Sequence, residues 1–396
     1  MKIAIVGQGY VGLPLALGAV AAGYCVVGFD NSDSKVNMLK NGRSYVEDIS
    51  DSELTKALKT GKYLPSSDPT EIRDCEIKIV CVPTPLDSFK KPDLTPLESA
   101  LTIIGQNMVP TDLIILESTV APGTTRQFVI PLLSLVSRIS QNDLKVAFSP
   151  ERIDPNNKIW NLSNTAKLIS GFNQESLNVA SDFYKKLTNN IVHCASLEIA
   201  EMAKLLENSF RYINISFINE ISRICNQLDI NIKDVIEAAE TKPYGFMPFY
   251  PSLGVGGHCI PVDSLYLSDL AKSIGVPSKF IELAEQINEE MPKFIIEIAK
   301  KKLNGLSGRK ILVIGLSYKP NIADIRESPS IRLINELKNS GAEVKWHDDL
   351  VKEWEGSTSV PLDENYELAI IATEHSNLNL SLLGKVPILS STGNFK

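Results

Sequence analysis

The first thirty residues leave this chain little freedom of fold. Residues 2–6, Lys-Ile-Ala-Ile-Val, read as a buried strand. Gly7-Gln8-Gly9-Tyr10-Val11-Gly12 follows at once, then an Ala/Leu-rich helix to about Ala22, then a second strand, Tyr24 to Phe29, closed by Asp30. Glycines at these positions let the backbone turn tightly and approach a pyrophosphate at a helix N-terminus. Gly7, Gly9, Tyr10, Val11 and Gly12 are therefore candidate cofactor contacts, and Asp30 is placed to bond both ribose hydroxyls. An acid there, with no Arg in the next dozen residues, selects NAD over NADP.

The alternation of strand and helix continues through Ile77 to Val82, Leu113 to Glu117 and Lys145 to Phe148, the pattern of a parallel doubly wound sheet. From Ser196 the character changes. No Gly or Pro occurs between Ser196 and Lys242, which predicts one helix to about Leu228, about 45 Å long. Asp229-Ile230-Asn231 breaks it, with Asn231 capping a shorter helix, and another helical region spans about Ser278 to Leu303. So long a helix spans two domains or packs against a symmetry mate. At Arg309 the opening pattern returns: a strand at Lys310 to Ile314, a helix at Ser328 to Ser340 and a strand from Glu343 to His347. Its turn, Gly315-Leu316-Ser317-Tyr318, lacks the triple glycine, so this unit shares the fold without binding a dinucleotide in the same way. The expected class is α/β: two Rossmann-like, doubly wound parallel-sheet domains joined by a long central helix and a helical dimerisation region. The expected domains are 1–195, 196–303 and 304–396.

Composition narrows the partners. A chain of 396 residues is too long for one core, and 43% hydrophobic with 22% charged residues is ordinary for a soluble globular protein. A net charge of −7 gives no general basic field, so nucleic acid is not an expected partner. No apolar run reaches the roughly 18 residues a membrane span needs, and the amino terminus begins a strand without signal-peptide architecture. Six scattered cysteines without a C-x-x-C pair support neither a metal site nor a disulfide framework. A cytoplasmic protein with reduced thiols is expected.

Two motifs carry chemistry. In Gly254-Val255-Gly256-Gly257-His258-Cys259-Ile260-Pro261-Val262-Asp263 a thiol sits between a glycine pair and a proline, with a carboxylate four residues on. Such a thiol can approach a substrate carbon unobstructed, and the Asp can activate the water that releases a covalent intermediate. On residues alone the thiol is either a nucleophile or a packed, inert cysteine. Lys204, Asn208 and Arg211 share one face of the long helix. A Lys and an Asn aimed together stabilise an oxyanion. The other reading is a solvated face on which Glu201 and Glu207 pair with these cations.

The chain resembles the UDP-glucose/GDP-mannose dehydrogenase family along essentially its whole length. The resemblance rests on Gly7 to Gly12, Val82-Pro83-Thr84-Pro85, Glu117-Ser118-Thr119-Val120-Ala121-Pro122-Gly123, Ser149-Pro150-Glu151-Arg152, Glu201 to Asn208, Gly256 to Asp263, and Lys319 to Arg326. It implies an NAD-linked, four-electron oxidation of a nucleotide-sugar hydroxymethyl group to a carboxylate. An aldehyde forms first, Cys259 attacks it to give a thiohemiacetal, a second oxidation leaves a thioester, and hydrolysis releases a uronic acid.

Carried over by position, Lys204 and Asn208 stabilise alkoxide-like states, Asp263 and Glu151 handle water or protons, and Thr119 positions the water or cofactor. Pro83, Thr84, Ser118 and Lys35 line NAD, with Arg326 reaching it from the second domain. Lys319, Phe249 and Gly256 hold the UDP-sugar, and Arg211 is a further substrate contact. The long helix is the core of a homodimer, and the third domain binds UDP.

The sugar follows from finer resemblances. UDP-glucose dehydrogenases usually have Ser before the nucleophile, where this chain has His258, and Thr241 to Pro251 resembles the N-acetylhexosamine branch. The expected substrate is UDP-N-acetylglucosamine, then UDP-N-acetylmannosamine, then UDP-glucose. Two stretches depart from the family pattern. Asp263-Ser264-Leu265-Tyr266-Leu267 stands where Asp-Pro-Tyr-Tyr-Leu is common, and Ser391-Thr392-Gly393-Asn394 where Asp-x-Arg-Asn is common, so the Arg to which the family pattern gives a diphosphate contact is absent.

Overall fold

The computed structural model describes residues 1–153 and 159–396. Contacts divide the chain into two compact units, Met1–Leu206 and Glu207–Lys396.

The first unit contains β1 (Lys2–Val6), α1 (Gly12–Ala21), β2 (Cys25–Phe29), α2 (Asp33–Lys40), α3 (Asp51–Lys59), β3 (Tyr63–Ser66), β4 (Ile77–Val80), α4 (Thr95–Gln106), β5 (Leu113–Leu116), α5 (Ile130–Ser137), β6 (Lys145–Phe148), β7 (Lys167–Gly171), α6 (Gln174–Tyr184) and β8 (Ile191–His193). They build one eight-stranded sheet in the order β3-β2-β1-β4-β5-β6-β7-β8. Side-chain alternation explains why both faces need covering. Ile3 and Ile5 join Leu13 and Ala16 in one core, while Ala4 and Val6 join Leu97 and Leu101 in the other. Between β1 and β4 the strand order reverses, the position where open α/β sheets bind ligands.

One polar pair lies inside this sheet. Lys78 of β4 is wholly buried, and its ammonium donates to Asp112 at 2.6 Å and to the Cys75 carbonyl at 2.6 Å. A buried ion is tolerated only with such full pairing.

The sheet is parallel from β3 through β6, but β7 runs antiparallel to β6, with Phe148 opposite Ser170 and Ala147 opposite Gly171. Local periodicity does not reveal this reversal, and it has a consequence for the site. The first residue of β7, Lys167, lies beyond the carboxyl end of β6, at the edge where the parallel strands also finish.

Helix α7 (Leu197–Gln227) runs 31 residues and stops one residue short of the expected Leu228. Asp229 takes a left-handed φ of 56°, and the Asn231 side chain accepts from the Lys233 N–H at 3.0 Å to cap the next helix, as expected. The second unit continues with α8 (Ile232–Glu240), α9 (Ile260–Ser273), α10 (Lys279–Leu303), β9 (Lys310–Ile314), α11 (Pro329–Asn339), β10 (Glu343–His347), the short hairpin β11 (Glu353–Trp354) and β12 (Ser357–Thr358), β13 (Leu368–Ile371) and β14 (Ile388–Ser390). Its second sheet, β10-β9-β13-β14, is parallel throughout. Ile311 and Val313 face a core with α10 and α11, while Leu312 and Ile314 face a smaller core with Leu383. The class expected from the sequence is the class observed.

Among the described residues, no helix is long and apolar enough to cross a membrane.

Candidate active site

The glycine turn after β1 divides its glycines by task. Gly7 has a φ of 91°, and a Cβ there would lie 2.8 Å from the Cys81 carbonyl oxygen. A Cβ on Gly12 would strike the Gly7 carbonyl. Gly9 differs: a Cβ there would meet nothing within 4 Å, so its missing side chain leaves open space above the turn. That is the cradle a pyrophosphate requires, and the residues present fit NAD.

Gln8, between the first two glycines, is fully buried. Its side chain donates to the Ile5 carbonyl at 2.8 Å and accepts from the Tyr63 hydroxyl at 2.7 Å, while the Tyr45 hydroxyl donates to its carbonyl at 2.7 Å. Asp30 closes the arrangement by accepting the Gln8 N–H at 2.9 Å and the Ser32 N–H at 3.0 Å. Beside it, the Lys35 ammonium lies 5.7 Å from the Tyr45 ring centre. Tyr10 is exposed and Val11 partly exposed on the outer side of the turn.

Two further loops rise from the ends of β4 and β5 and are tied together. Ser118 donates to the Val82 carbonyl at 2.6 Å, and Thr84 donates to the Thr119 carbonyl at 2.8 Å. Pro83 is exposed beside them. Glu201 secures the continuation of the second loop, accepting from the Gly123 N–H at 2.6 Å and the Thr125 N–H at 2.9 Å. The solvated reading of the helix face had Glu201 pairing with the nearby cations; its carboxylate is instead buried against the backbone of residues 123–125.

Glu151 follows β6. Its carboxylate accepts from the Arg152 and Ile153 N–H groups at 2.6 Å each, and the Lys167 ammonium lies 3.5 Å away. Burial raises its pKa, but Lys167, those two N–H groups and Lys204 outweigh burial and leave it below the ordinary carboxylate value. Lys167 also pairs with Glu117 at 3.0 Å. Neither Lys167 nor the role of Glu117 was found from sequence. The available signal was a lysine opening an apolar strand, Lys167-Leu-Ile-Ser-Gly, and nothing linked it to Glu117.

The face of α7 is not uniform. Lys204 is partly buried, Asn208 is buried and Arg211 is exposed. In the second unit, Asn208 donates to the Asp263 carboxylate at 2.5 Å. Cys259 stands immediately before the first residue of α9 and is exposed, and the Asp263 N–H donates to the Cys259 carbonyl at 2.9 Å. Thiol and carboxylate therefore stand on the same first helical turn, where the helix dipole favours negative charge.

The loop leading to Cys259 is held along its length. Its start is fixed by the Ser252 N–H donating to Asn219 at 2.8 Å, and Asn219 donates to Asn288 at 3.1 Å. A Cβ on Gly256 would lie 2.7 Å from the Glu327 carbonyl oxygen, and one on Gly257, at φ 83°, would lie 2.6 Å from the Tyr318 ring. The Gly257 N–H donates to the Arg326 carbonyl at 3.0 Å, so Arg326 supports the loop through its backbone. Its guanidinium pairs with Asp324 at 2.5 Å. His258 is kept below its usual pKa by burial and then by Arg326. Phe249, earlier on the same stretch, packs edge-on against Phe210 with centroids 5.8 Å apart.

Lys319 lies in the turn after β9. Ser317 donates to its carbonyl at 3.1 Å, and Asp348 accepts from the Leu316 N–H at 2.7 Å and the Ser317 N–H at 3.2 Å. Asp348 repeats the role of Asp30 at the end of the second strand of its own sheet. The turn 391–394 is docked on α7, with Asn226 donating to the Gly393 carbonyl at 2.9 Å.

With a dinucleotide cradle after β1, the chain is an oxidoreductase of the NAD-dependent nucleotide-sugar dehydrogenase class. The chain belongs to the UDP-glucose/GDP-mannose dehydrogenase family, matching its NAD binding domain at residues 1–188, its central domain at 198–290 and its UDP binding domain at 312–385. It is 36% identical over 353 residues to protein CapL of Staphylococcus aureus, covering 88% of this chain and 82% of that protein. It is 35% identical over 390 residues to the UDP-N-acetyl-D-glucosamine 6-dehydrogenase of Salmonella typhi, covering 95% and 90%. The structure of a UDP-D-ManNAc dehydrogenase from Pyrococcus horikoshii superposes with a TM-score of 0.91 at 32% identity, covering 98% of this chain and 95% of that one.

Proposed function

We propose that this chain oxidises the C6 hydroxymethyl of a UDP-N-acetylhexosamine to the uronic acid, with UDP-N-acetylglucosamine preferred over UDP-N-acetylmannosamine, and UDP-glucose third. The observation that carries it is the first turn of α9: an exposed thiol at Cys259 and, one turn on, a buried carboxylate at Asp263 that accepts from Asn208. An N-acetylhexosamine is supported by Thr241 to Pro251; the Salmonella relative supports the glucosamine sugar and the Pyrococcus relative the mannosamine alternative.

In this reading Gly7, Gly9, Gly12 and Asp30 would hold NAD, with Tyr10, Val11, Lys35, Pro83, Thr84, Ser118 and Arg326 lining it, and it would supply the hydride acceptor for each of two oxidations, alcohol to aldehyde and thiol adduct to thioester. The Cys259 sulfur bonds to the aldehyde carbon, converting its carbonyl oxygen to an oxyanion that Lys204 and Asn208 stabilise. Oxidation of that adduct leaves a thioester. Water then adds at the same carbon, Asp263 and Glu151 take up its proton with Thr119 orienting it, and breaking the C–S bond returns the thiol and releases the acid. Lys319, Phe249, Gly256 and Arg211 hold the UDP-sugar. The division of labour follows 1–195 for NAD, 196–303 for the helical domain with the thiol, and 304–396 for UDP.

The protein works as a cytoplasmic homodimer built on α7. Ile199, Met202, Leu206, Phe210, Phe217 and Ile224 are all exposed and recur at steps of three, four or seven residues, one apolar stripe along the helix. Light scattering will give twice the chain mass; a monomer at micromolar concentration contradicts this.

The substrate is tested by NADH release over UDP-N-acetylglucosamine, UDP-N-acetylmannosamine, UDP-N-acetylgalactosamine, UDP-glucose and GDP-mannose, with product mass measured. The first is expected to give the highest kcat/KM, by at least about tenfold over UDP-glucose, because an N-acetyl pocket rejects a sugar that leaves its polar groups unpaired. Equal turnover of UDP-glucose refutes the assignment.

A further inference from the structure

A cluster of charged and polar side chains lies behind Glu151 and has no task in the reaction described so far. It forms because β4, β5 and β6 end at one edge of the sheet, and the reversed β7 begins there. That places Glu117 after β5, Glu151 after β6 and Lys167 at the start of β7 around a common point, with Cys81 after β4 and Tyr184 from α6 closing the far side. Lys167 bridges the two carboxylates, at 3.0 Å from Glu117 and 3.5 Å from Glu151. Tyr184 donates to the same Glu117 oxygen that Lys167 contacts. The other Glu117 oxygen is buried and meets no hydrogen-bond donor among the described residues.

We propose that Lys167, backed by Glu117 and Tyr184, is a buried relay that fixes the charge and direction of the Glu151 carboxylate. The proposal rests on the reading of Glu151 as an acid–base group, and all three are positioning residues that act through it.

The electrostatics give the relay its sign. Glu151 faces Lys167, Lys204 and Glu117; Glu117 faces Lys167, Glu151, Tyr184 and Cys81. Burial pushes Glu117 up to about 7, against the pull of Lys167. Glu117 therefore gains and loses its proton near neutrality, while Glu151 stays ionised. When Glu117 is neutral the Lys167 ammonium is left to Glu151; when Glu117 ionises, the ammonium is shared. Lys167 is thus an adjustable counter-charge, and Glu117 adjusts it.

The test is the pH dependence of kcat/KM, which reports the groups of the free enzyme. Lys167→Met leaves Glu151 buried without its nearest ammonium, so the acidic limb will move up by about one to three pH units. Lys167→Arg, which keeps the charge, will hold the limb near its wild-type position. Glu117→Gln still accepts from Tyr184 and Lys167 but cannot ionise; Glu117 is already neutral on the acidic limb, so that limb will hold its wild-type position. A limb that moves when the Lys167 charge is lost and holds when Lys167→Arg keeps it is not a consequence of loosened packing, which lowers the melting temperature and leaves the limb in place. Glu151→Gln separates a failure of the relay from a failure of the Glu151 assignment. Loss of most activity there, beside an unmoved limb in Lys167→Met, overturns the relay alone. Full activity of Glu151→Gln overturns the assignment beneath it, and the relay with it.

Discussion

Cys259→Ala will form no uronic acid: acid production is expected to fall by at least about 10³-fold, the scale on which removal of a covalent nucleophile acts. NAD binding and melting temperature will stay near wild type. The thiol is exposed at the N-terminus of α9, so truncating it removes little buried surface. The turn around it is built by other atoms: Gly256 and Gly257 against Glu327 and Tyr318, and the Gly257 N–H on the Arg326 carbonyl. The variant therefore keeps its fold and loses only the C–S bond. Without that bond the aldehyde has no covalent hold between the two oxidations and leaves. Product mass spectrometry checks this, and acid at the wild-type rate from Cys259→Ala would refute the covalent route.

The second large effect belongs to Lys204. Lys204→Met is expected to lower kcat by about 10²–10³-fold, as loss of one oxyanion donor does, with a much smaller change in KM. The reason is differential. An ammonium beside the reacting oxygen does little for a neutral hydroxyl or aldehyde and much for the oxyanion, so its removal costs the transition state more than the ground state. Lys204 also adds positive charge near Glu151, which lies below its ordinary pKa with that help. The same variant will raise the acidic limb of the pH profile, though less than Lys167→Met, because Lys167 is the stronger of the two electrostatic influences on Glu151. Steady-state kinetics across pH measure both effects; a kcat within tenfold of wild type would remove Lys204 from the reaction.

What the sequence disclosed follows from how local each signal is. The β1-α1-β2 unit, the length of α7 and the Asn231 cap depend on neighbours in the chain, and their structure lies within a residue or two of expectation. The return of the pattern at Lys310 to His347 was equally legible, because a strand, a turn and a capped helix recur in order. Pairings between distant segments were not. Helical periodicity placed Lys204, Asn208 and Arg211 on one side of α7, but it does not say that Asn208 is buried on Asp263 while Arg211 stands in solvent. Glu201 read as a surface partner for those cations, yet it holds the backbone at Gly123 and Thr125. Lys167 was invisible for a deeper reason. Its position depends on β7 running against β6, and strand direction leaves no trace in the residues of the strand.

The family blocks supplied the chemistry that spacing alone left open. A cysteine among glycines and a Lys–Asn helix face each had a bland reading. Seven ordered blocks and the matches at 1–188, 198–290 and 312–385 place both stretches within a dehydrogenase family, which is what supports the roles proposed for them.

The central claim is that one thiol carries a single sugar through two oxidations. Its most direct measurement is the count of NADH released per UDP-N-acetylglucosamine consumed, with the product weighed by mass spectrometry. The account predicts two NADH for each molecule of uronic acid from the wild type, with acid formation lost in Cys259→Ala. One NADH per sugar, unchanged by Cys259→Ala, would make the protein a two-electron dehydrogenase and contradict it.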